Sequence, residues 1–243
     1  MRTLILSDVH ANWWALKAVL DFLERENIRC DRVVSLGDYV DYGTRPNEVI
    51  EWFRGKCDIC LLGNHDAALI NPEERNYFSD LAYTCSVWTE KVIKPENLNF
   101  IRNLRPLARE GDVLYVHAAP DDPIWKYIFD PTDATRSFSS TDARLIFVGH
   151  THVPSYFARY RTVVVGGQVV SDRMKMRFLP SVRYIVNPGS VGQPRDGLGG
   201  ASFGIYDDEE PSFTWYRVDY DLSNLKKEIG EAGLPMSLLS YHL

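Results

Sequence analysis

The side chains best suited to chemistry in this sequence are histidines and acids that follow apolar runs. Asp8 precedes His10 by two residues, and Asp38 closes a second apolar run. Five of the six histidines lie in short polar loops directly after such runs: His10, His65, His117, His150 and His152. Strand ends on one edge of an α/β sheet meet in a common crevice. We therefore expect these side chains to converge.

With Asn64 added, the set offers a mixture of oxygen and nitrogen ligands. It consists of two carboxylates, four imidazoles and one amide oxygen: Asp8, Asp38, His10, His117, His150, His152 and Asn64. Such a mixture suits Mn, Fe, Zn, Ni or Co. Seven side chains exceed the needs of one ion, so they divide between two, with Asp38 shared. Two cations about 3.5–4 Å apart activate water and neutralise a phosphate, which predicts hydrolysis of phosphate esters.

Each of these residues has a simpler interpretation when it is taken alone. An Asp or Asn after a strand often caps a turn or a helix, and a lone His117 would be an ordinary imidazole. Gly37, Gly63 and Gly149, which precede ligands, would be turn glycines or positions of close backbone approach. Five loops with the same chemistry favour a shared site.

The composition bounds the protein class. The chain has 243 residues, a net charge of -6 and a pI near 5.5, which argues against nonspecific nucleic-acid binding. We expect bound cations to attract phosphate locally. The N-terminus lacks a signal-peptide pattern, and no apolar run reaches the roughly 20 residues that span a bilayer. We therefore predict a cytoplasmic protein, no membrane contact, and structural thiols at Cys57 and Cys60; the oligomeric state stays open.

The elements that must position the site alternate strand and helix in the first half, which is typical of a parallel sheet. Residues 68–110 are predicted to be mostly helical, and the polar stretch 131–142 is expected at the surface. The second half predicts strands at 162–170, 181–189, 201–208 and 212–220, then a helix at 222–233. We expect one domain over residues 1–243, with 68–110 as a helical capping segment.

The loops carry a specific family pattern. The segments SDVHAN, LGDYVDYG, LGNHDA, VHAAP and GHTHVP resemble the motifs of calcineurin-like metallophosphoesterases from Ser7 to Pro154. VNPGSVGQPRDG at 186–197 resembles a loop in the bacterial and archaeal phosphodiesterase-like branch, which is related to Ser/Thr protein phosphatases and diadenosine tetraphosphatases. The resemblance implies a metallo-dependent phosphatase-like fold: α/β, a four-layer α/β/β/α sandwich with two mixed sheets.

The resemblance also implies roles for individual residues. One divalent ion would be held by Asp8, His10, Asp38 and His152, and the other by Asp38, Asn64, His117 and His150. Manganese is our first choice, with Fe, Zn, Ni or Co as alternatives. His65 would be the general acid, oriented by Asp41, and a metal-bridged hydroxide would attack the phosphorus. Asn64 and Arg195 would bind substrate, although Arg195 could instead form a surface salt bridge.

Two departures from the related phosphatases bear on the substrate. Tyr42 and Leu62 stand where protein Ser/Thr phosphatases carry phosphate-binding arginines. The loss of these cations favours phosphodiesters or small phosphate esters, including nucleotides, over phosphoproteins and dinucleoside polyphosphates, which stay as alternatives. A non-catalytic scaffold of the same fold is a further alternative. Aromatic residues such as Tyr77 and Phe78 could stack on a base, although an ordinary packing face is the simpler interpretation.

Overall fold

The computed structural model describes residues 1–169 and 171–242, which form two six-stranded mixed sheets with flanking helices. The first sheet has the spatial order β3 (Ile59–Cys60), β2 (Arg32–Ser35), β1 (Arg2–Leu6), β11 (Ala201–Asp207), β12 (Ser212–Val218) and β9 (Lys175–Arg177). The second has the order β4 (Leu107–Glu110), β5 (Val113–Val116), β6 (Leu145–Phe147), β10 (Arg183–Asn187), β7 (Ser155–Tyr160) and β8 (Val163–Gln168).

Parallel pairs form the half of each sheet that carries the predicted ligands. β1 pairs in parallel with β2, and β2 with β3, while β11, β12 and β9 add antiparallel strands. In the second sheet β5, β6 and β10 are parallel, and β4, β7 and β8 are antiparallel. The loops after β1 and β2 therefore leave the same edge of the first sheet, and the loops after β5 and β6 leave the same edge of the second. This arrangement brings the site residues together.

Seven α-helices and two 3-10 helices are described. The α-helices are α1 (Trp13–Arg25), α2 (Pro46–Lys56), α3 (Asn64–Ile70), α4 (Asp80–Val92), α5 (Pro95–Arg102), α6 (Pro131–Ser139) and α7 (Ser223–Glu231). The 3-10 helices span Pro72–Tyr77 and Met236–His242. Among the described residues, no helix has both the length and the apolarity needed to cross a membrane.

The core explains why the early strands are continuous apolar runs. Side chains of a strand alternate between its two faces. In β1, Leu4 and Leu6 pack against the layer that contains α1 and α2, whereas Ile5 packs in the layer between the sheets with Phe147 and Trp215. Both faces are buried, as a central strand requires. A third apolar layer lies under α6, so the four-layer α/β/β/α prediction is confirmed.

The prediction of helix for the segment 68–110 was wrong for its last four residues. Residues 107–110 form the strand β4, antiparallel to β5, with Leu107 opposite Val116. This strand is polar and partly exposed because it lies at the sheet edge, which removes the apolar alternation that would have marked it. The strands β7 and β9 were also not predicted, and β9 has only three residues.

Three other sequence expectations changed in detail. The surface stretch 131–142 contains the helix α6, capped by the Asp130 carboxylate and opened by Pro131 at its first turn. The expected buried strand around Cys60 is a two-residue, half-buried pair, and all four cysteines are free thiols. The predicted strand 162–170 is β8, although residue 170 itself lies outside the described residues. The C-terminal helix at 222–233 is confirmed as α7.

Candidate metal centre

The predicted ligands lie in loops that begin where the parallel strands end. Asp8 and His10 follow β1, and Asp38 follows β2; their loops are joined because the Asp8 and His10 amides donate to the carbonyls of Gly37 (3.0 Å) and Asp38 (2.9 Å). Asn64 opens α3, His117 follows β5, and the remaining two histidines follow β6. The strand ends therefore bring together side chains that are distant in sequence; Asp8 and His152 are separated by 144 positions.

Four of these residues form a compact, fully enclosed group, which we call the first ligand group: Asp8, His10, Asp38 and His152. One ligand atom from each lies within 4.8 Å of the others. The Nδ1–H groups of His10 and His152 donate to the carbonyls of Val40 (2.8 Å) and Gln193 (2.6 Å). Their Nε2 atoms, 3.2 Å from each other, are then bare lone pairs, since a carbonyl can only accept. A bound cation would satisfy both.

The other predicted ligands form what we call the second ligand group: Asp38, Asn64, His117 and His150. His117 donates its Nδ1–H to the Leu36 carbonyl (2.9 Å), and its Nε2 lies 3.1 Å from the Asn64 side-chain oxygen. His150 donates through Nε2 to the Trp125 carbonyl (3.1 Å), which leaves its Nδ1 as the ligand atom. Each imidazole is therefore fixed by a backbone partner, as is usual for metal-binding histidines.

Asp38 lies between the two groups. Its Oδ1 accepts from the His65 amide at 2.9 Å. Its Oδ2 is buried, has no hydrogen-bond partner in the described part of the chain, and lies 3.5 Å from Nε2 of both His10 and His117. A buried carboxylate oxygen without a partner is costly. Positive charge on both sides of Oδ2 removes this cost, so the residues present fit a pair of cations.

Burial sets the protonation tendencies of these side chains. It raises the pKa of Asp8 to about 7 and that of Asp38 well above its ordinary value. It lowers the pKa of His117 to about 3, and the pKa values of His10 and His152 also fall well below the ordinary value. The imidazoles are therefore neutral, which is the form that binds metals, whereas ionised carboxylates at this depth require a nearby positive charge.

The backbone at the ligands is strained. Positive φ angles between 49° and 64° occur at Asp8, His10, Asp38, His150 and His152. Residues other than glycine rarely adopt this conformation, and such strain concentrates at functional sites. A Cβ on Gly63 would overlap the Asp38 carboxylate, and one on Gly149 would overlap the Ser7 hydroxyl. These glycines therefore permit close approach in addition to turning the chain.

His65 follows Asn64 in the chain, packs beside His10 with ring centroids 4.8 Å apart, and contacts Asp41. Its Nδ1 is 2.7 Å from Oδ2 of Asp41, and both side chains are buried. Phe78 stacks on the His65 ring at 4.4 Å with an interplanar angle of 25°. Because these contacts hold Nδ1 and one ring face, and His65 also lines the cleft described next, the pair has the arrangement of an oriented proton donor.

A cleft of about 300 Å³ opens over both ligand groups. Among the described residues that line it, Arg195 is the only lysine or arginine. The Arg195 guanidinium donates to Gln193 Oε1 at 2.8 Å and lies over the rings of Tyr42 and Tyr241. It takes part in none of the ion pairs found among the described residues, which favours the phosphate-binding alternative for Arg195 over a surface salt bridge.

Several residues of this site were missed from the sequence. Tyr127 stacks on the His150 ring at 3.8 Å, and Trp125 holds that same histidine through its carbonyl. Gln193 orients His152, and Tyr241 lines the cleft. The dense aromatic stretch around Trp125 was a usable signal, because it follows the His117 loop. The position of Tyr241, near the end of the chain, had no such signal.

A larger groove of about 600 Å³ lies elsewhere, around Trp14 and Trp88. It contains none of the predicted ligands. Its arginine, Arg45, is neutralised by Glu228, with Nη2 and Oε1 at 2.5 Å. Size alone therefore does not identify the candidate site, because the smaller cleft is the one lined by the predicted ligands.

Comparisons with known proteins agree with this geometry. The family model described as calcineurin-like phosphoesterase matches residues 1–154. An uncharacterized protein of Methanocaldococcus jannaschii is 36% identical over 237 residues, which cover 95% of this chain and 93% of that protein. This chain belongs to the calcineurin-like phosphoesterase family. Membership in this metallophosphoesterase family implies a metal-dependent phosphoester hydrolase, as the sequence motifs predicted.

Solved structures extend the likeness of this metallophosphoesterase beyond the matched segment. A metallophosphoesterase from Sphaerobacter thermophilus is 39% identical, with a TM-score of 0.87 and complete coverage of both chains. A hypothetical protein from Pyrococcus horikoshii OT3 is 18% identical, with a TM-score of 0.79 and coverage of 99% of this chain and 98% of that one; this likeness concerns the fold alone. The two mixed sheets with flanking helices are thus the fold of the family.

Proposed function

We propose that this metallophosphoesterase is a binuclear phosphohydrolase that cleaves phosphodiesters or small phosphate esters. The observation that carries the proposal is the buried, unpartnered Oδ2 of Asp38, equidistant at 3.5 Å from a histidine of each ligand group. We further propose that residues 1–243 act as one domain, in which the helices after Asn64 cap the cleft.

Each ligand group would hold one divalent ion. Bound ions, with manganese our first choice and Fe, Zn, Ni or Co as alternatives, supply an activated water and charge neutralisation at the phosphate. Asp38 would belong to both positions. The carbonyl partners of the four histidines keep the ligand nitrogens unprotonated and aimed into the site.

His65 would donate the proton that the oxygen of the leaving group takes up. Asp41 holds Nδ1, so the proton to be transferred is the one on Nε2. Arg195 would pair with a nonbridging phosphate oxygen, because its guanidinium is hydrogen-bonded to the neutral Gln193 and keeps its charge available. Asn64 would contact substrate from the second ligand group. Each of these roles belongs to one side chain, so each can be tested by a single substitution.

The charge of the cleft supports a diester. Tyr42 lines the cleft where related phosphatases have an arginine, and Leu62 packs in the apolar layer of α1 and α2. Arg195 is thus the cationic side chain that meets the substrate. One guanidinium in addition to the ions matches a monoanionic phosphodiester better than a phosphoprotein dianion or a polyphosphate, although those substrates are the main alternatives.

The proposal is tested with chelator-treated protein, bis(p-nitrophenyl) phosphate and p-nitrophenyl phosphate. We expect hydrolysis to depend on added Mn²⁺ and to favour the diester. A phosphopeptide and a dinucleoside tetraphosphate should be poorer substrates. Silence with every cation would establish the scaffold alternative, and a preference for the phosphopeptide would contradict the diester assignment.

A further inference from the structure

Two aromatic side chains from distant segments meet on the wall of the cleft. Tyr77 ends the 3-10 helix Pro72–Tyr77, and Trp125 lies in the loop that follows β5. Their ring centroids are 5.1 Å apart with planes at 51°, and both rings line the cleft that contains the ligand groups. Tyr77 is 74% exposed. An aromatic ring held in a cleft yet open to solvent is available to a ligand rather than to the core.

The Trp125 side chain is fixed before any ligand arrives. Its indole Nε1 donates to Glu74 Oε2 at 2.9 Å, and its amide donates to Asp122 Oδ1 at 3.1 Å. Its carbonyl accepts from His150 at 3.1 Å, so the ring is tied to a residue of the second ligand group. Phe78 packs against it at 5.9 Å. A preformed ring face loses little conformational entropy when it binds a partner.

The distribution of charge indicates which partner this wall would take. A phosphodiester keeps one ester group while the other leaves, and the retained group must lie against the cleft. Positive charge in the cleft is confined to Arg195 among the described lining residues, and Tyr77 and Trp125 present aromatic faces. Such faces bind flat rings by stacking, which is tolerant of ring identity.

We infer that Tyr77 and Trp125 form a subsite for a flat aromatic ring on the retained group of the substrate, so that the preferred substrates are aryl or nucleoside phosphodiesters. The inference rests on the proposed function, since it names the substrate class of the same site. An aryl ring attached directly to the phosphate and a nucleobase attached through a sugar share this chemistry and differ in their distance from the phosphorus.

The test uses three diesters with the same p-nitrophenyl leaving group, carrying methyl, phenyl or thymidine 5′ as the retained group. Tyr77→Leu should lower kcat/KM about tenfold for the two substrates whose retained group carries a ring, the usual scale of one lost base stack. The methyl diester should change less than about twofold. Tyr83→Leu is the matched control, because Tyr83 is exposed in α4 and should leave all three substrates unchanged.

The pattern of losses identifies the ring. A loss on the phenyl diester supports an aryl group, and a loss confined to the thymidine diester supports a nucleobase. Equal changes on the methyl and ring-bearing substrates, or no change on any, would overturn the subsite. Metal-dependent hydrolysis of the methyl diester by the unmodified enzyme reports separately on the proposed function.

A binding measurement decides the matter independently of turnover. Thymidine 5′-monophosphate and phenyl phosphate should quench tryptophan emission if either ring stacks on Trp125. Trp125→Phe should lose the part of the quenching that comes from this residue, and Tyr77→Leu should weaken the binding that produces it. Identical quenching in all three proteins would reject the subsite even if the enzyme proved active.

Discussion

The two ligand groups differ in how the chain builds them. All four residues of the first ligand group have left-handed backbone conformations, and their ligand atoms lie within 4.8 Å of one another. In the second ligand group, Asn64 and His117 have ordinary φ angles, and His150 depends on a hydrogen bond to Trp125 and a stack with Tyr127. The first position is therefore set by strand-end turns together with the backbone of residues 191–193, whereas the second depends on a helix start and an aromatic loop.

The largest effect should follow from removal of the residue that both groups share. Asp38→Asn should lower kcat/KM by more than about 1000-fold, because the neutral amide cannot balance two cations. Metal analysis after gel filtration should show loss of bound ion at both positions. Asp21→Asn, at an exposed ion pair with Lys17, is the control. If Asp38→Asn lost a single ion, the shared role would be wrong.

The next largest effect concerns the proposed proton donor, His65. His65→Asn should slow hydrolysis of an alkyl ester with a poor leaving group about 100-fold or more, since that oxygen needs a proton. A p-nitrophenyl ester, whose leaving group is stable as an anion, should be slowed far less. Comparable losses on both substrates would remove His65 from this role.

Single ligand substitutions distinguish the two positions. His10→Ala should weaken ion binding at the first position, and His150→Ala at the second, each by about 100-fold. Because the first ligand group is the more compact, the unmodified protein should release the second ion at the lower chelator concentration. Sequential chelator titration followed by elemental analysis measures this order. Simultaneous release of both ions would contradict the predicted difference in affinity between the two ligand groups.

Acidification should weaken metal binding. Burial raises the pKa of Asp8 to about 7 and raises that of Asp38 well above its ordinary value, whereas the ion binds only the ionised carboxylates. Protons therefore compete with the ion below pH 7, and apparent affinity should fall by about tenfold or more per pH unit. His117, with a pKa lowered to about 3, stays neutral and does not compete. Chelator-buffered Mn²⁺ titrations at pH 6, 7 and 8 measure the slope; a flat profile would contradict it.

The smallest effect should come from Arg195, whose amide donates to the His152 carbonyl. Arg195→Gln should raise KM for a diester about fivefold through loss of a charge-assisted hydrogen bond. It should leave the metal content unchanged, because the side chain is not a ligand. Arg217→Gln is unsuitable as a control, since Arg217 forms a largely buried ion pair with Asp196. Arg109→Gln is suitable, because its ion pair with Asp142 is exposed. A change in bound metal would place Arg195 among the ligand supports instead.

The ligand side chains could be predicted from the sequence because their signal is local. Asp8 and His10 lie in one short loop after an apolar strand, and His150 and His152 repeat that spacing. A strand end fixes the position of a residue to within a few ångströms, so a short motif carries most of the geometry. The four-layer fold could be predicted because the same motifs resemble those of a family with that fold.

The contacts of the supporting residues could not be predicted, because they depend on tertiary structure, even where an aromatic stretch marked the neighbourhood of the site. Trp125 and Tyr127 lie in a loop with no periodicity, and Gln193 acts through its backbone carbonyl, which any residue possesses. The edge strand β4 lacked an apolar face. The helix α6 was missed for a different reason: Asp130 and Pro131 are ordinary helix-start residues, and the polar composition after them concealed that signal.

The hydrogen bonds around the first ligand loop also constrain when the site can form during synthesis. The amides of Val191 and Gly192 donate to the carbonyls of Ser7 and Asp8, each at 3.0 Å, and β11 supplies the antiparallel neighbour of β1. A chain still emerging from the ribosome therefore carries all seven ligands before the partners of its first loop exist. The N-terminal ligand loop therefore gains these hydrogen bonds only once β11 has been synthesised, and we expect tight binding of any ion by Asp8 only after that point.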